Sequence, residues 1–76
     1  MKNDKKLLYD SINLTETILK EYKREKIKLE NIKEKTPRIF KTINKNLDKR
    51  ISSLNKMIEF YNGIYQKECK YFYDFN

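Results

Sequence analysis

The sequence predicts an all-α fold, a long antiparallel helical hairpin that forms one small domain over residues 1–76. Apolar residues recur every three or four positions over residues 36–65, which is the spacing of one helix face. The chain has one glycine and one proline, so few positions interrupt a helix. The clearest interruption is Thr36-Pro37, which separates two helical patterns.

The first helix is predicted at about residues 4–34. Asp4 is a suitable N-cap because its carboxylate can accept a hydrogen bond from the first turn. No glycine or proline follows before Glu34. One broad apolar face is expected to contact the second helix, and it contains Leu7, Leu8, Ile12, Leu14, Ile18, Leu19, Tyr22, Leu29 and Ile32.

The second helix is predicted to begin at Pro37, because proline is favoured at the first helical position and Thr36 can serve as the N-cap. So short a connection favours antiparallel neighbours, with facing residue numbers that add up to about 72. Tyr22 would then face Ile51. The apolar face of this helix contains Phe40, Ile43, Leu47, Ile51, Leu54, Met57, Ile58, Tyr61, Ile64 and Tyr65.

Gly63 leaves two interpretations of the C-terminus open. Glycine is typical just after a helix end, which favours a short third helix. The apolar spacing nevertheless continues in phase to Phe72, which favours a second helix that runs to about Tyr71–Tyr73. In the second case we expect the helix to outrun the first one after about Lys67, leaving its aromatic end uncovered.

The net charge of +7 favours anionic partners. The excess lies in residues 20–56, where thirteen Lys and Arg residues stand against five acids. Lysine provides charge without the planar, two-point recognition of arginine, so any nucleic-acid binding is expected to be sequence-independent and salt-sensitive. The predicted partner- or nucleic-acid-binding residues are Lys35, Arg38, Lys41, Lys45, Lys49 and Lys56.

An aromatic tail forms the second candidate surface. Tyrosine and phenylalanine are common in protein interfaces, and a two-helix hairpin covers only one side of each helix. Dimerisation into a four-helix bundle would cover more of the helices, so a homodimer is one expected partnership. The predicted partner or dimer contacts are Tyr71, Phe72, Tyr73 and Phe75.

The residue types predict no enzyme, no catalytic residue, no metal site and no cofactor. The chain has no histidine, the commonest general base and metal ligand, and no glycine-rich phosphate loop. Cys69 is a lone cysteine, which is typical of the cytoplasm, and no apolar run is long enough to span a membrane.

The leading hypothesis is a non-enzymatic inhibitor or adaptor that occupies a surface of a larger protein or ribonucleoprotein. The alternative is a sequence-independent DNA- or RNA-binding protein that uses its lysine-rich helix face. A third hypothesis is a bacteriocin-immunity-like protein at the membrane face, since proteins of that class are small, basic helical bundles. In size and composition the chain resembles small basic helical proteins of low-GC bacteria and their mobile elements, which is consistent with a phage or mobile-element origin.

Overall fold

Two antiparallel helices make up the structure. The computed structural model describes residues 2–74, with side-chain exposure over 4–74, and it contains α1 (Lys2–Lys35) and α2 (Lys41–Asp74). The two helices form a rod of 59 × 14 × 13 Å, so the predicted all-α hairpin is confirmed. Because α1 begins at Lys2, Asp4 lies in its first turn, where its charge complements the positive end of the helix dipole.

The helices meet along a line of residues spaced alternately three and four apart, as in a two-stranded coiled coil. We call this line the seam. Three apolar residues, Leu19, Leu29 and Leu47, are only 4–6% exposed, so the core is thin. The buried or half-buried seam residues are Leu8, Ile12, Thr15, Leu19, Tyr22, Lys26 and Leu29 in α1, and Leu47, Ile51, Leu54, Ile58, Tyr61, Tyr65, Glu68 and Phe72 in α2.

The register of the hairpin differs from the predicted one. The Tyr22 ring lies 5.7 Å from that of Tyr61, and the Tyr9 ring lies 6.1 Å from that of Phe72. The numbers of facing residues therefore add up to about 80. A constant sum of this kind is what antiparallel packing of two helices requires. The predicted sum of about 72, with Tyr22 opposite Ile51, is wrong because the connection between the helices is longer than expected.

The connection is a turn over residues 36–40. The Thr36 hydroxyl donates a hydrogen bond of 2.6 Å to the Ile32 carbonyl, so this residue caps the end of α1. The Pro37 carbonyl accepts hydrogen bonds of 3.1 Å from the Phe40 amide and from the Asn44 side chain. The prediction that Thr36 caps a helix starting at Pro37 is wrong, because the Thr36 hydroxyl binds α1 and the Pro37 carbonyl stabilises the turn. The second helix begins only at Lys41, after the chain has reversed.

The second helix continues through Gly63 to Asp74, and no third helix forms within residues 2–74. Its last turn lies beside the first turns of α1, since Asp4, Leu8, Tyr71 and Asp74 line one depression. The predicted overhang after Lys67 is therefore wrong. With facing numbers that add up to about 80, Asp74 lies near the level of Lys6, so the end of α2 stays within the length of α1.

Candidate binding surfaces

The fold divides the broad apolar face predicted for each helix into two lines. One line is the seam, and the other flanks it on one long side of the rod. Both helices contribute flanking residues to this side. Glu25 of α1 and Arg50 of α2 line one depression on it, and Asp4 of α1 and Tyr71 of α2 line another. Leu7 and Phe60 are 65% and 61% exposed. We call this surface the apolar side, formed by Leu7, Leu14, Ile18, Met57, Phe60, Ile64 and Tyr71.

The apolar side occupies the half of the rod that holds the helix ends Lys2 and Asp74, which we call the open half. Closer to the turn, the same long side becomes charged, with Glu21, Glu25 and Arg50 exposed. The contiguous apolar surface thus covers one half of this side, and the exposed Ile32 and Ile43 lie beyond the charged band, closer to the turn. A contiguous apolar patch is typical of an interaction surface rather than of scattered exposed residues.

The turn carries a second surface, which we call the tip and which comprises residues 38–45. Three of the predicted cations, Arg38, Lys41 and Lys45, line one open groove of about 800 Å³. Lys33 lines it too and forms an ion pair with Asp48. The groove also contains two acids of α1, Glu30 and Glu34, so its charge is mixed.

The other predicted cations are not part of this groove. Lys49 lines the depression that contains Glu25 and Arg50, on the opposite long side. Lys35 and Lys56 are exposed. The structure thus gathers half of the predicted basic set at the tip and distributes the rest along the outward surface.

The predicted aromatic tail also has more than one environment. Phe72 lies in the seam, where its ring packs on Tyr9 and the Lys5 ammonium lies 5.2 Å from the ring centroid. Tyr71 belongs to the apolar side and is 64% exposed. Tyr73 is exposed on a different face, and Phe75 lies outside the described residues.

A polar layer in the seam was not predicted. The Thr15 hydroxyl is buried and donates a hydrogen bond of 2.6 Å to the Glu68 carboxylate, which also accepts one from Ser11. The signal was available, because Thr15 falls at the seam position between Ile12 and Leu19. Nearby, a hydrogen bond with Cys69, the Cys69 charge and the Glu16 charge raise the pKa of the Tyr65 phenol above its usual value.

Ile39 is the second residue that the prediction missed. It is 79% exposed and lies between Arg38 and Phe40 in the turn. Its sequence position carried little signal, since it falls outside the apolar spacing of either helix. The structure makes it the apolar centre of a basic tip.

The described residues show no metal site or membrane span. Over residues 2–74, no three His, Cys, Asp or Glu side chains are grouped to hold a metal ion. In the same range, neither helix has a segment both long and apolar enough to cross a membrane. Comparison with protein-family models, with curated proteins and with solved structures gave no match to this chain.

Proposed function

We propose that this chain is a non-enzymatic binding protein, an inhibitor or adaptor, whose tip occupies a surface of a larger protein or ribonucleoprotein. The observation that carries the proposal is the exposure of Ile39, at 79%, between the cations Arg38 and Lys41. An apolar centre with a charged rim is the usual layout of a protein interface. The tip is therefore suited to an apolar depression that is bordered by acidic side chains.

The hydrogen bonds of the turn support this role. The Pro37 carbonyl accepts two hydrogen bonds, from Phe40 and Asn44, and the Thr36 hydroxyl donates one to the last turn of α1. These contacts tie the backbone of the turn to both helices. A preorganised surface loses less conformational entropy on binding than a mobile one.

The test compares variants of the tip with matched variants elsewhere on the rod. Wild-type and variant chains are used to capture partners from the host cell, and recovery is quantified by mass spectrometry. Ile39→Asp is expected to reduce partner recovery at least about tenfold, because it puts a charge at the interface centre. Ile27→Asp is the control, since Ile27 is also exposed but lies about two turns before the end of α1, outside the tip.

Charge reversal provides an independent arm of the same experiment. Lys41→Glu with Lys45→Glu is expected to reduce recovery by a similar factor, whereas Lys6→Glu with Lys20→Glu, an equal change in net charge at distant exposed positions, should not. Equal recovery by the wild type and both tip variants would overturn the proposal.

A second candidate function is sequence-independent nucleic-acid binding. Lys45, Lys49 and Lys56 are exposed on the outward surface of α2, and within the described residues none of them forms an ion pair. They span about 16 Å along the helix, at about 1.5 Å per residue. The acids Glu30 and Glu34 in the tip groove would repel phosphate, which makes this the weaker candidate.

Its test is the salt dependence of binding to labelled DNA and RNA of arbitrary sequence, measured by fluorescence anisotropy. Each lost phosphate contact lowers the slope of log affinity against log salt by about 0.9. Lys49→Gln with Lys56→Gln is expected to lower that slope by about 2, whereas Lys6→Gln with Lys20→Gln leaves it unchanged. Absence of binding at physiological salt would exclude this function.

A further inference from the structure

We propose that the apolar side is a homodimer interface, on which a second copy of the chain packs face to face, with both tips at the same end, to form a four-helix bundle. The proposal goes beyond the tip function, because it assigns a different surface and a different partner. Four lines of evidence support it: the uncovered area, the thin core, the match between the two helices, and the charge of the surface.

The uncovered apolar area suits an interface. With about 200 Å² for a large side chain, the seven residues of the apolar side expose on the order of 600 Å². That value lies at the upper end for the largest patch on a monomer, whereas a standard interface buries about 800 Å² per partner. The charged residues that border the apolar side, Asp4, Lys67 and Asp74, supply the difference.

The thin core favours a second copy as the occupant. Only Leu19, Leu29 and Leu47 are buried apolar residues among residues 4–74. Chains of this size gain stability from disulfides, metals or self-association. Self-association is the route that also covers the exposed apolar side. A second copy is present wherever the chain is, and would add a core between two hairpins.

The two helices match each other under a twofold axis that runs along the rod. Such an axis places α1 of one copy opposite α2 of the other at the same level. Since residues at one level add up to about 80, Leu14 then lies near the partner's Ile64 level and Leu7 near its Tyr71 level. Packing in the opposite direction over the full length would place Leu14 near the charged band around Glu21 and Glu25. With the tips at the same end, Leu7 and Leu14 keep apolar partners, and the charged band lies instead near the partner's Phe60 and Met57 levels, at the border of the interface. The pairing of both leucines favours tips at the same end.

The charge of the surface permits this approach. In the open half, the charged residues of this side among the described ones are Asp4, Lys67 and Asp74, one lysine against two aspartates. The whole chain carries a net charge of +7, so most of its positive charge lies elsewhere. Within the open half, two copies can therefore meet on this side with few charged groups between them. Their basic tips lie at the same end of the dimer, where solvent and salt screen the repulsion between exposed charges.

The first experiment is sedimentation equilibrium of the full chain from about 1 to 500 μM, with helix content checked by circular dichroism. The wild type is expected to dimerise in this range. Leu14→Glu and Phe60→Glu, at exposed positions of the apolar side, are each expected to raise the dimer Kd at least about tenfold. Ile27→Glu is the control, because it adds the same charge at an exposed position outside this side.

A monomeric wild type at every concentration would overturn the proposal, and so would equal weakening by the Ile27→Glu control. The tip function is tested separately, because Leu14→Glu leaves the tip intact. Partner capture by a Leu14→Glu chain that no longer dimerises would support the tip function. If the tip variants capture partners as well as the wild type does, the tip function is wrong but the dimer proposal is unaffected.

The orientation is measured with a nitroxide spin label on Ile39→Cys, in a chain that also carries Cys69→Ser. Pulsed electron resonance between two copies is expected to give a distance below half the 59 Å length of the rod. A distance close to that length would show that the tips lie at opposite ends and would overturn the proposed arrangement.

Discussion

The seam and the apolar side are both lines of apolar residues spaced three or four apart, yet within the chain only the seam is covered. Leu29 in the seam is 4% exposed, whereas Leu14 on the apolar side is 62% exposed. One helix packed against one other covers a narrow stripe, and the apolar face predicted for each helix is wider than that stripe. Apolar spacing therefore identifies a helix face but does not determine how much of that face a single neighbouring helix covers.

The two lines also differ in polarity. The seam contains a layer in which Thr15 and Ser11 donate hydrogen bonds to Glu68. A slip in register would separate the Thr15 hydroxyl from the Glu68 carboxylate and leave it only the Ser11 carbonyl, 3.0 Å away in its own helix. It would also deprive the half-buried carboxylate of both donors, and a hydrogen bond to a charged group contributes about 1.5–3 kcal/mol. The polar layer thus favours one register, as buried polar residues do in other coiled coils.

The largest expected effect comes from truncating equivalent leucines in the two lines. Leu29→Ala should lower the free energy of unfolding by about 2–4 kcal/mol, because it leaves a cavity in the seam. Leu14→Ala should change it by less than about 0.5 kcal/mol in a monomer, since this side chain is exposed. Urea denaturation followed by circular dichroism, at concentrations low enough for the monomer, makes the comparison. Similar losses in both variants would contradict the division of the apolar face.

The polar layer gives an intermediate effect. Thr15→Val keeps the shape of the side chain but removes the donor to Glu68, and it should cost about 1–3 kcal/mol in the same assay. Thr15→Val with Glu68→Leu should recover most of that loss, because replacing both partners by apolar groups leaves no buried group unpaired. If the double variant were less stable than Thr15→Val alone, the polar layer would be stabilising the fold in itself, and not only selecting one register.

The smallest effect is expected outside both lines, at Gly63 on the outward surface of α2. A methyl group there would meet no neighbouring atom within 4 Å. Gly63→Ala should therefore raise the free energy of unfolding by about 0.5–1 kcal/mol, because alanine loses less backbone entropy in a helix. Asn62→Ala, one residue earlier in α2, serves as a comparison without a glycine effect. A loss of stability at Gly63→Ala would indicate that glycine is needed for a close approach there.

The turn shows why local sequence signals were insufficient for element ends. Thr36-Pro37 is compatible both with starting a helix and with ending the one before, since threonine caps either end through its hydroxyl. In the structure the Thr36 hydroxyl donates to the Ile32 carbonyl at the end of α1, and α2 begins later than predicted, at Lys41. A shift of a few residues at the turn changes every facing pair along the seam.

Residue spacing alone predicted the two helices, their antiparallel order and the broad face that each turns toward the other, because helical periodicity is a property of neighbouring residues. It did not predict that Leu14 and Phe60 lie outside the seam, that α1 covers Phe72, or that Arg38, Lys41 and Lys45 share one groove. Those outcomes depend on the length of one turn and on how narrow a stripe two packed helices cover. Neither quantity is a property of local residue spacing.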